Sequence, residues 1–361
     1  MLEKLYDGPP ADLESSLKNV IRVGLYQITC LDRIPDYAAV DEAVETAKRI
    51  RPGRAALVNA LLRNAIRKGK IIKPPDYDRD PALHIAIVHS HPLWLVRRWI
   101  DLFGAEDTLM LCRANNENPP LTLRTNTLKT SRDNVLRGLR EEGIEAQATA
   151  FSPDGVTLPS GLARPIRQLD LFRRGLIHVQ DEASQLIAHL VNPRPGEKIA
   201  DLCCGTGGKT THMAERMKND GRILAVDLNG KKIRALEANA RRLGIRIIET
   251  RRGDVSRPSE IPPPAAFDRV LLDAPCSGLG TLRRNPEIKW RLTEEALSAF
   301  PLLQFNLLRS ASCCVKRGGV LVYSTCSIMP EENDEIIERF LSSRPDFERL
   351  DPPGTIPREM I

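Results

Sequence analysis

Asp201-Leu202-Cys203-Cys204-Gly205-Thr206-Gly207-Gly208-Lys209-Thr210 joins a short apolar run beginning at Ile199 to a helical stretch. Glycines at a strand-to-helix turn let a ligand approach the backbone and the free N–H groups of the first helical turn. P-loop spacing requires a glycine where Cys203 stands, and the lysine after Gly208 does not restore that match. Dinucleotide spacing requires a third glycine where Thr210 stands. Asp227 closes the next apolar run, where a carboxylate accepts hydrogen bonds from ribose hydroxyls. S-adenosylmethionine carries such hydroxyls, and Asp254, after a third run, is placed to hold the adenine amino group in the same crevice.

From Gly196 onward, apolar runs at 199–202, 223–226, 246–249, 269–272 and 320–324 alternate with helical stretches, which predicts a parallel, doubly wound sheet. The fourth run ends in Asp273-Ala274-Pro275-Cys276-Ser277-Gly278 and the fifth in Ser324-Thr325-Cys326-Ser327. Fourth and fifth strands of such a sheet are neighbours, so both thiols are expected in one crevice beside the cofactor. That pairing suits pyrimidine chemistry. Carbon 5 is too electron-poor to attack a methyl sulfonium until a thiolate adds to carbon 6. A proton must afterwards leave carbon 5 and the thiol must be expelled, which gives a second polar group a task. A lone cysteine is more often a buried packing residue. Cys203, Cys204, Cys313 and Cys314 are read that way, whereas two thiols in Pro/Ser/Gly-rich loops at paired strand ends are not.

Working toward the N-terminus, Leu121-Thr122-Leu123-Arg124-Thr125-Asn126 alternates as a strand, and a helix over 131–142 follows, with Thr130 as cap and Gly143 as stop. With strand-like pieces at 144–150 and 155–158 this makes a small α/β unit. Residues 1–75 read as helices: Leu17, Val20, Ile21 and Leu25 share a face, as do Leu57/Val58, Leu61/Leu62 and Ala65/Ile66. Lys73-Pro74-Pro75-Asp76-Tyr77-Asp78 breaks the pattern and sets a boundary near 75.

The 361 residues suffice for several domains, and at 42% apolar, disorder over most of the length is excluded. No stretch approaches the ~18 apolar residues of a membrane span, and the charged first sixteen residues do not read as a signal peptide. The eight cysteines lack disulfide-framework spacing, so a reducing, cytoplasmic setting is expected. No separated C-x-x-C pairs accompany His89-Ser90-His91, and no metal is expected. Net charge is only +6, but nine Lys or Arg and no acid lie between Thr46 and Pro75, Arg63, Arg67, Lys68 and Lys70 among them. Basic side chains near a helix C-terminus explain part of that run, and contact with nucleic acid explains its lack of counter-charge.

Asp201 to Lys209, Asp273 to Gly278 with Gly280 and Arg283-Arg284-Asn285-Pro286, Ser324 to Ser327 with Pro330-Glu331-Glu332-Asn333, and Val179-Gln180-Asp181-Glu182-Ala183-Ser184 together resemble the RsmB/Sun-type RNA cytosine methyltransferases. Val58-Asn59-Ala60-Leu61-Leu62-Arg63-Asn64 resembles the later part of their NusB-like RNA-binding domain. The resemblance implies a multidomain chain. A partial NusB-like all-α region (1–75) is followed by a linker with helices (76–118) and a small α/β, RRM-like domain (119–180). A Rossmann-like class I methyltransferase domain (181–361) completes it.

The resemblance also implies an S-adenosylmethionine-dependent enzyme that makes 5-methylcytosine in ribosomal RNA of the small subunit. In it Cys326 is the nucleophile, Cys276 assists product release, and Asp273 hydrogen-bonds the cytosine with Lys209 nearby. Cys203, Cys204, Gly205, Thr206, Gly207, Gly208, Lys209, Asp227, Asp254 and Asp273 line the cofactor pocket, and Arg283, Arg284 and Lys289 join the basic helices in gripping phosphates. A sixth strand is expected near Phe347-Glu348-Arg349-Leu350, and the family's final strand is not present before Ile361, which leaves the fifth strand with an open edge. The competing expectations are a non-catalytic RNA-binding assembly factor that keeps the fold, and a DNA cytosine methyltransferase in which the Pro-Cys thiol is the nucleophile.

Overall fold

A computed structural model describes residues 5–6, 12–69, 74–159, 161–257, 260 and 262–353. The chain divides into two compact units, Met1–Val88 and His89–Ile361.

In the first unit, helices Ser15–Cys30, Asp36–Ile50 and Ala55–Arg67 enclose Leu17, Ile21, Leu25, Val40, Val58 and Leu62. Each of these side chains contributes roughly 1.5–3 kcal/mol when fully buried. The helices approach closely at Gly24, where a Cβ would lie 2.8 Å from a Leu62 methyl. The basic run is less unbalanced than its sequence suggests, because acids flanking it reach in: Lys48 pairs with Glu45 at 2.6 Å, and Arg51 donates to Glu14 at 2.7 Å. Arg54, Arg63, Arg67 and Lys68 are exposed, and Lys70 and Lys73 lie outside the described residues.

The second unit holds two sheets. The smaller is antiparallel, with strands β1 (Leu121–Thr125), β2 (Gln147–Ala148), β3 (Gly155–Leu158) and β4 (Ile177–Val179) in the order β2-β3-β1-β4. Its helix spans Arg132–Glu141, and the cap is Ser131, whose side chain accepts from the Asn134 N–H at 3.3 Å. Thr130, expected in that role, instead belongs to the preceding turn, its N–H donating to the Asn126 carbonyl.

The larger sheet is wholly parallel: β5 (Lys198–Leu202), β6 (Arg222–Asp227), β7 (Ile248–Arg252), β8 (Phe267–Asp273) and β9 (Val315–Ser324), in the order β7-β6-β5-β8-β9. Period-two alternation divides its apolar residues between two cores. Ile199, Ile223, Leu271 and Val322 pack with Met213, Met217 and Leu243 of helices Gly208–Arg216 and Gly230–Leu243 and their connections. Ala200, Leu224, Val270 and Leu272 pack with Phe305, Leu308, Ile336 and Phe340 of helices Glu294–Ser312 and Asp334–Ser343. No strand forms at 347–350; Phe347 instead sets its ring edge-on to Phe340, 5.3 Å between centroids. Among the described residues β9 is an edge strand of this sheet.

One buried guanidinium ties the sheets together. Arg124 of β1 donates to both oxygens of Glu215 (3.1 and 2.7 Å), to Thr211 Oγ1 (3.0 Å), to the Gly208 carbonyl (2.6 Å) and to Gln180. Gly208, Thr211 and Glu215 all belong to the helix that opens at the glycine-rich turn.

Candidate active site

The turn after β5 is built by residues in the left-handed region: φ is +68° at Cys203, +58° at Gly205 and +83° at Gly207. A side chain is excluded at Gly207, where a Cβ would lie 2.4 Å from Leu236 Cγ. Asp227, ending β6, gathers the turn by accepting the Gly205 N–H (2.9 Å) on one oxygen and the Asn229 N–H (2.7 Å) on the other. Each oxygen retains capacity for a further donor. Asp201 is fully buried; Thr210 donates to one oxygen at 2.6 Å, and the other has no partner among the described residues. Burial pushes this carboxyl up to about 7. The spare acceptor capacity of Asp227 and a turn with glycine at 205, 207 and 208 fit the ribose and backbone-facing parts of S-adenosylmethionine.

Cys203 is half-buried and Cys204 buried, and burial pushes both thiols up, Cys203 to about 12, so they offer backbone and packing rather than nucleophiles. Thr206 is exposed, its carbonyl accepting from Asn239 at 3.2 Å. Asp254 is engaged in its own loop, accepting from the Ser256 N–H and hydroxyl (3.0 and 2.6 Å) and pairing with Arg257 at 3.3 Å.

At the ends of β8 and β9, Asp273 and Ser324 are register partners, and the Ser324 hydroxyl donates to the Asp273 carboxylate at 2.9 Å. Lys209, in the first turn of helix Gly208–Arg216, pairs with the same carboxylate at 2.5 Å. The loops beyond these strand ends bring Cys276 and Cys326 together, Sγ to Sγ 3.1 Å, and the Cys326 N–H donates to the Cys276 sulfur at 3.3 Å. The Cys276 S–H holds the Cys326 thiol below its ordinary value against burial and the Asp273 carboxylate, with a smaller contribution from the Lys209 ammonium; the Cys276 thiol is raised in return. Cys326 is exposed and Cys276 half-buried, so the more acidic thiol is the more accessible one. Gly280 closes the crevice floor: its N–H donates to the Cys326 carbonyl at 2.9 Å, and a Cβ would lie 2.9 Å from that oxygen.

Sequence reasoning passed over the group beneath the thiols. Glu332, quoted in a motif but given no task, is fully buried and touches the residue that follows each cysteine. A signal existed in the serine after each thiol, but Ser277 and Glu332 are 55 residues apart, so only the fold joins them. Two expectations are corrected. Lys289 is buried against His91 and Asn116 (3.5 and 3.4 Å), and so is not free to meet phosphate. Cys313, read as packing, is exposed, just past the helix Glu294–Ser312. Arg283 pairs with Glu117 and the Asn118 carbonyl and Arg284 with Asp181 and the Pro120 carbonyl, and both residues are exposed.

Asp154, His189 and His212 form a metal-like group, their ligand atoms within 4.8 Å. The protons account for it otherwise. Arg216 faces His189 Nδ1 at 2.7 Å, so that nitrogen accepts and Nε2–H is left to donate to Asp154 at 2.8 Å. His212 Nε2 donates to the same oxygen at 3.0 Å. Although burial opposes it, these two donors hold the Asp154 carboxyl well below the usual range.

The model of the 16S rRNA methyltransferase RsmB/F family matches residues 188–357, that of the RsmF/B-like ferredoxin-like domain residues 91–163, and that of the NusB family residues 1–67. A curated relative, the probable ribosomal RNA small subunit methyltransferase B of Bacillus subtilis, is 38% identical over 96% of this chain and 76% of its own length. The chain belongs to the RsmB/F methyltransferase family. The ribosomal RNA small subunit methyltransferase B of Pseudomonas syringae pv. tomato is likewise 38% identical, over 98% of this chain and 76% of its own. Among solved structures, PH0851 superposes with a TM-score of 0.81 at 31% identity, covering 95% of this chain and 76% of that one. Membership accounts for the architecture: NusB-like helices, a small ferredoxin-like sheet and a Rossmann-like transferase sheet. The methyl donor of this family is S-adenosylmethionine. No helix among the described residues is long and apolar enough to cross a membrane.

Proposed function

We propose that this chain methylates carbon 5 of a cytosine in small-subunit ribosomal RNA through a covalent adduct with Cys326, as a cytoplasmic enzyme. The observation that carries the reading is the thiol pair, 3.1 Å apart beside the Lys209–Asp273 pair. The Cys326 thiolate adds to carbon 6, and the displaced π electrons make carbon 5 nucleophilic. Asp273, held by Lys209 and Ser324, accepts from the exocyclic amine and so orients the ring, and the adjacent Lys209 ammonium offsets the electron density the ring gains. S-adenosylmethionine supplies the methyl group on a sulfonium. A water on the Cys276 side takes the carbon 5 proton, and the 5,6 double bond re-forms as the carbon–sulfur bond breaks, returning Cys326 to thiolate.

A stacked base hides carbon 6, so the target must be unpaired or extruded. Phosphates are met by the exposed Arg54, Arg63, Arg67 and Lys68 of the N-terminal helices, which makes binding salt-dependent. We divide the labour as RNA-binding helices over 1–75, linking helices over 76–118, the small domain over 119–180 and transfer over 181–361. In the pocket, Cys203 to Lys209 and Asp227 meet the donor's amino-acid and ribose parts, and Asp254 its adenine.

The test uses labelled S-adenosylmethionine, transcribed small-subunit ribosomal RNA and bisulfite sequencing of the product. Cys326→Ala is expected to abolish transfer while donor binding persists. Cys276→Ala is expected to accumulate an RNA–protein adduct that survives denaturing gel electrophoresis. Residual turnover in Cys326→Ala, or label at an atom other than cytosine carbon 5, overturns the reading; binding without any transfer by the unaltered chain points to the assembly-factor role.

A further inference from the structure

Glu332 sits in the 3-10 turn Pro330–Glu332, fully buried, behind the two cysteine loops. One carboxylate oxygen accepts the Ser277 N–H and the Gln304 side-chain amide, each at 2.9 Å. The other accepts the hydroxyls of Ser277, at 2.5 Å, and of Ser327. Those hydroxyl oxygens are 3.0 Å from each other. Ser277 follows Cys276 and Ser327 follows Cys326, so both loops hang from one carboxylate. Gln304 extends the clamp by donating to the Pro275 carbonyl at 3.0 Å, and the Tyr323 hydroxyl holds the Glu332 carbonyl at 2.7 Å. No cation is paired with this carboxylate in the structure's described residues; its partners are neutral donors that fill its lone pairs. A group so enclosed does not reach the reacting base, and its hydrogen bonds tie the two cysteine loops to each other.

We infer that Glu332 is the positioning residue of the thiol pair: it sets the Cys276–Cys326 separation on which the release of product depends. This rests on the reading that the two cysteines act together on the base, but its test does not need RNA. Diamide takes one hydrogen from each of two thiols and leaves a disulfide, and a bond of ~2.05 Å needs the sulfurs to close by only about 1 Å from where they stand. The rate at which the Cys276–Cys326 peptide pair appears by mass spectrometry is therefore a ruler for the loops.

In the full chain, Glu332→Ala is expected to slow that cross-link at least tenfold and to lower kcat for methylation at least tenfold, with KM for S-adenosylmethionine within twofold. Glu332→Gln keeps an oxygen for the Ser277 N–H and Gln304 and an amide that can donate to the serine oxygens, and is expected to recover most of both rates. Should Glu332→Ala fail to fold, the Ser277→Ala/Ser327→Ala double variant cuts the two hydroxyl tethers, including the only one to the Cys326 loop, while leaving the Ser277 N–H bond and the carboxylate, with the same readouts expected to fall. A folded variant of either kind that cross-links and turns over at the unaltered rates overturns the inference. If cross-linking depends on Glu332 but the unaltered chain never methylates RNA, the positioning role stands and the proposed activity falls. If methylation proceeds and cross-linking ignores Glu332, the reverse holds.

Discussion

The Cys326 sulfur owes its acidity to its neighbour. A thiol hydrogen bond from Cys276 stabilises the thiolate against the cost of partial burial and the repulsion of the Asp273 carboxylate, which the Lys209 ammonium partly offsets. Because the shift is downward, the thiolate fraction is already substantial at a pH where an ordinary cysteine is protonated, and it is lost only as pH falls through the lowered value. Alkylation of Cys326 by iodoacetamide, followed by peptide mass spectrometry, is expected to show a midpoint below the ordinary thiol range. Cys276→Ala is expected to move that midpoint up by about a unit or more, and an unmoved midpoint would refute the hydrogen-bond origin of the acidity. The residue scale is also where sequence reading was weakest. Lys289 reads as one more basic residue in a basic stretch, and only folding shows it enclosed by His91 and Asn116. The part played by Glu332 was invisible because its donors come from Ser277, Gln304 and Ser327, which no local spacing unites.

At the scale of elements, the turn after β5 is the most constrained piece of backbone in the pocket. Gly207 combines a left-handed φ of +83° with a Cβ position overlapping Leu236, whereas Gly205, at +58°, faces open space. A β-carbon in the left-handed region costs roughly 1–2 kcal/mol by itself, and at Gly207 the helix Gly230–Leu243 must also shift. Gly207→Ala is therefore expected to weaken S-adenosylmethionine binding at least tenfold by calorimetry, and Gly205→Ala less; equal affinities would contradict the steric argument. Four strands of the large sheet were legible because each carries a short apolar run ending at a polar turn; the third, expected at 246–249, forms instead at Ile248–Arg252, whose Glu, Thr and Arg residues make no apolar run. The supposed sixth strand was not, since Phe347 carries apolar character that serves ring packing on Phe340 rather than a ladder. The cap at Ser131 was misplaced by one residue because Thr130 and Ser131 offer the same hydroxyl, and only the Asn126 turn decides between them.

For the molecule, the decisive joint is Arg124 with Glu215, both side chains fully buried. Removing one member leaves an uncompensated interior charge, a loss of ~3–5 kcal/mol, whereas replacing both by apolar side chains of similar size costs far less. Arg124→Met is expected to destabilise the second unit by that amount in urea denaturation, and Arg124→Met/Glu215→Met to recover most of it; a double variant no better than the single one would show that packing, not charge, is at stake. Nothing in Leu121-Thr122-Leu123-Arg124-Thr125 announces this joint beyond a cation at an inward strand position, for its partners lie 91 residues away. The three-part organisation, by contrast, was readable from periodicity, from helical to alternating to regularly interleaved. The same guanidinium grips the carbonyl of Gly208, the first residue of the helix at the donor's turn, while its own strand belongs to the other sheet. If a polynucleotide settling on the small sheet displaces β1 and, through that guanidinium, alters affinity for the methyl donor by some factor, thermodynamic reciprocity obliges the donor to alter affinity for the polynucleotide by that same factor.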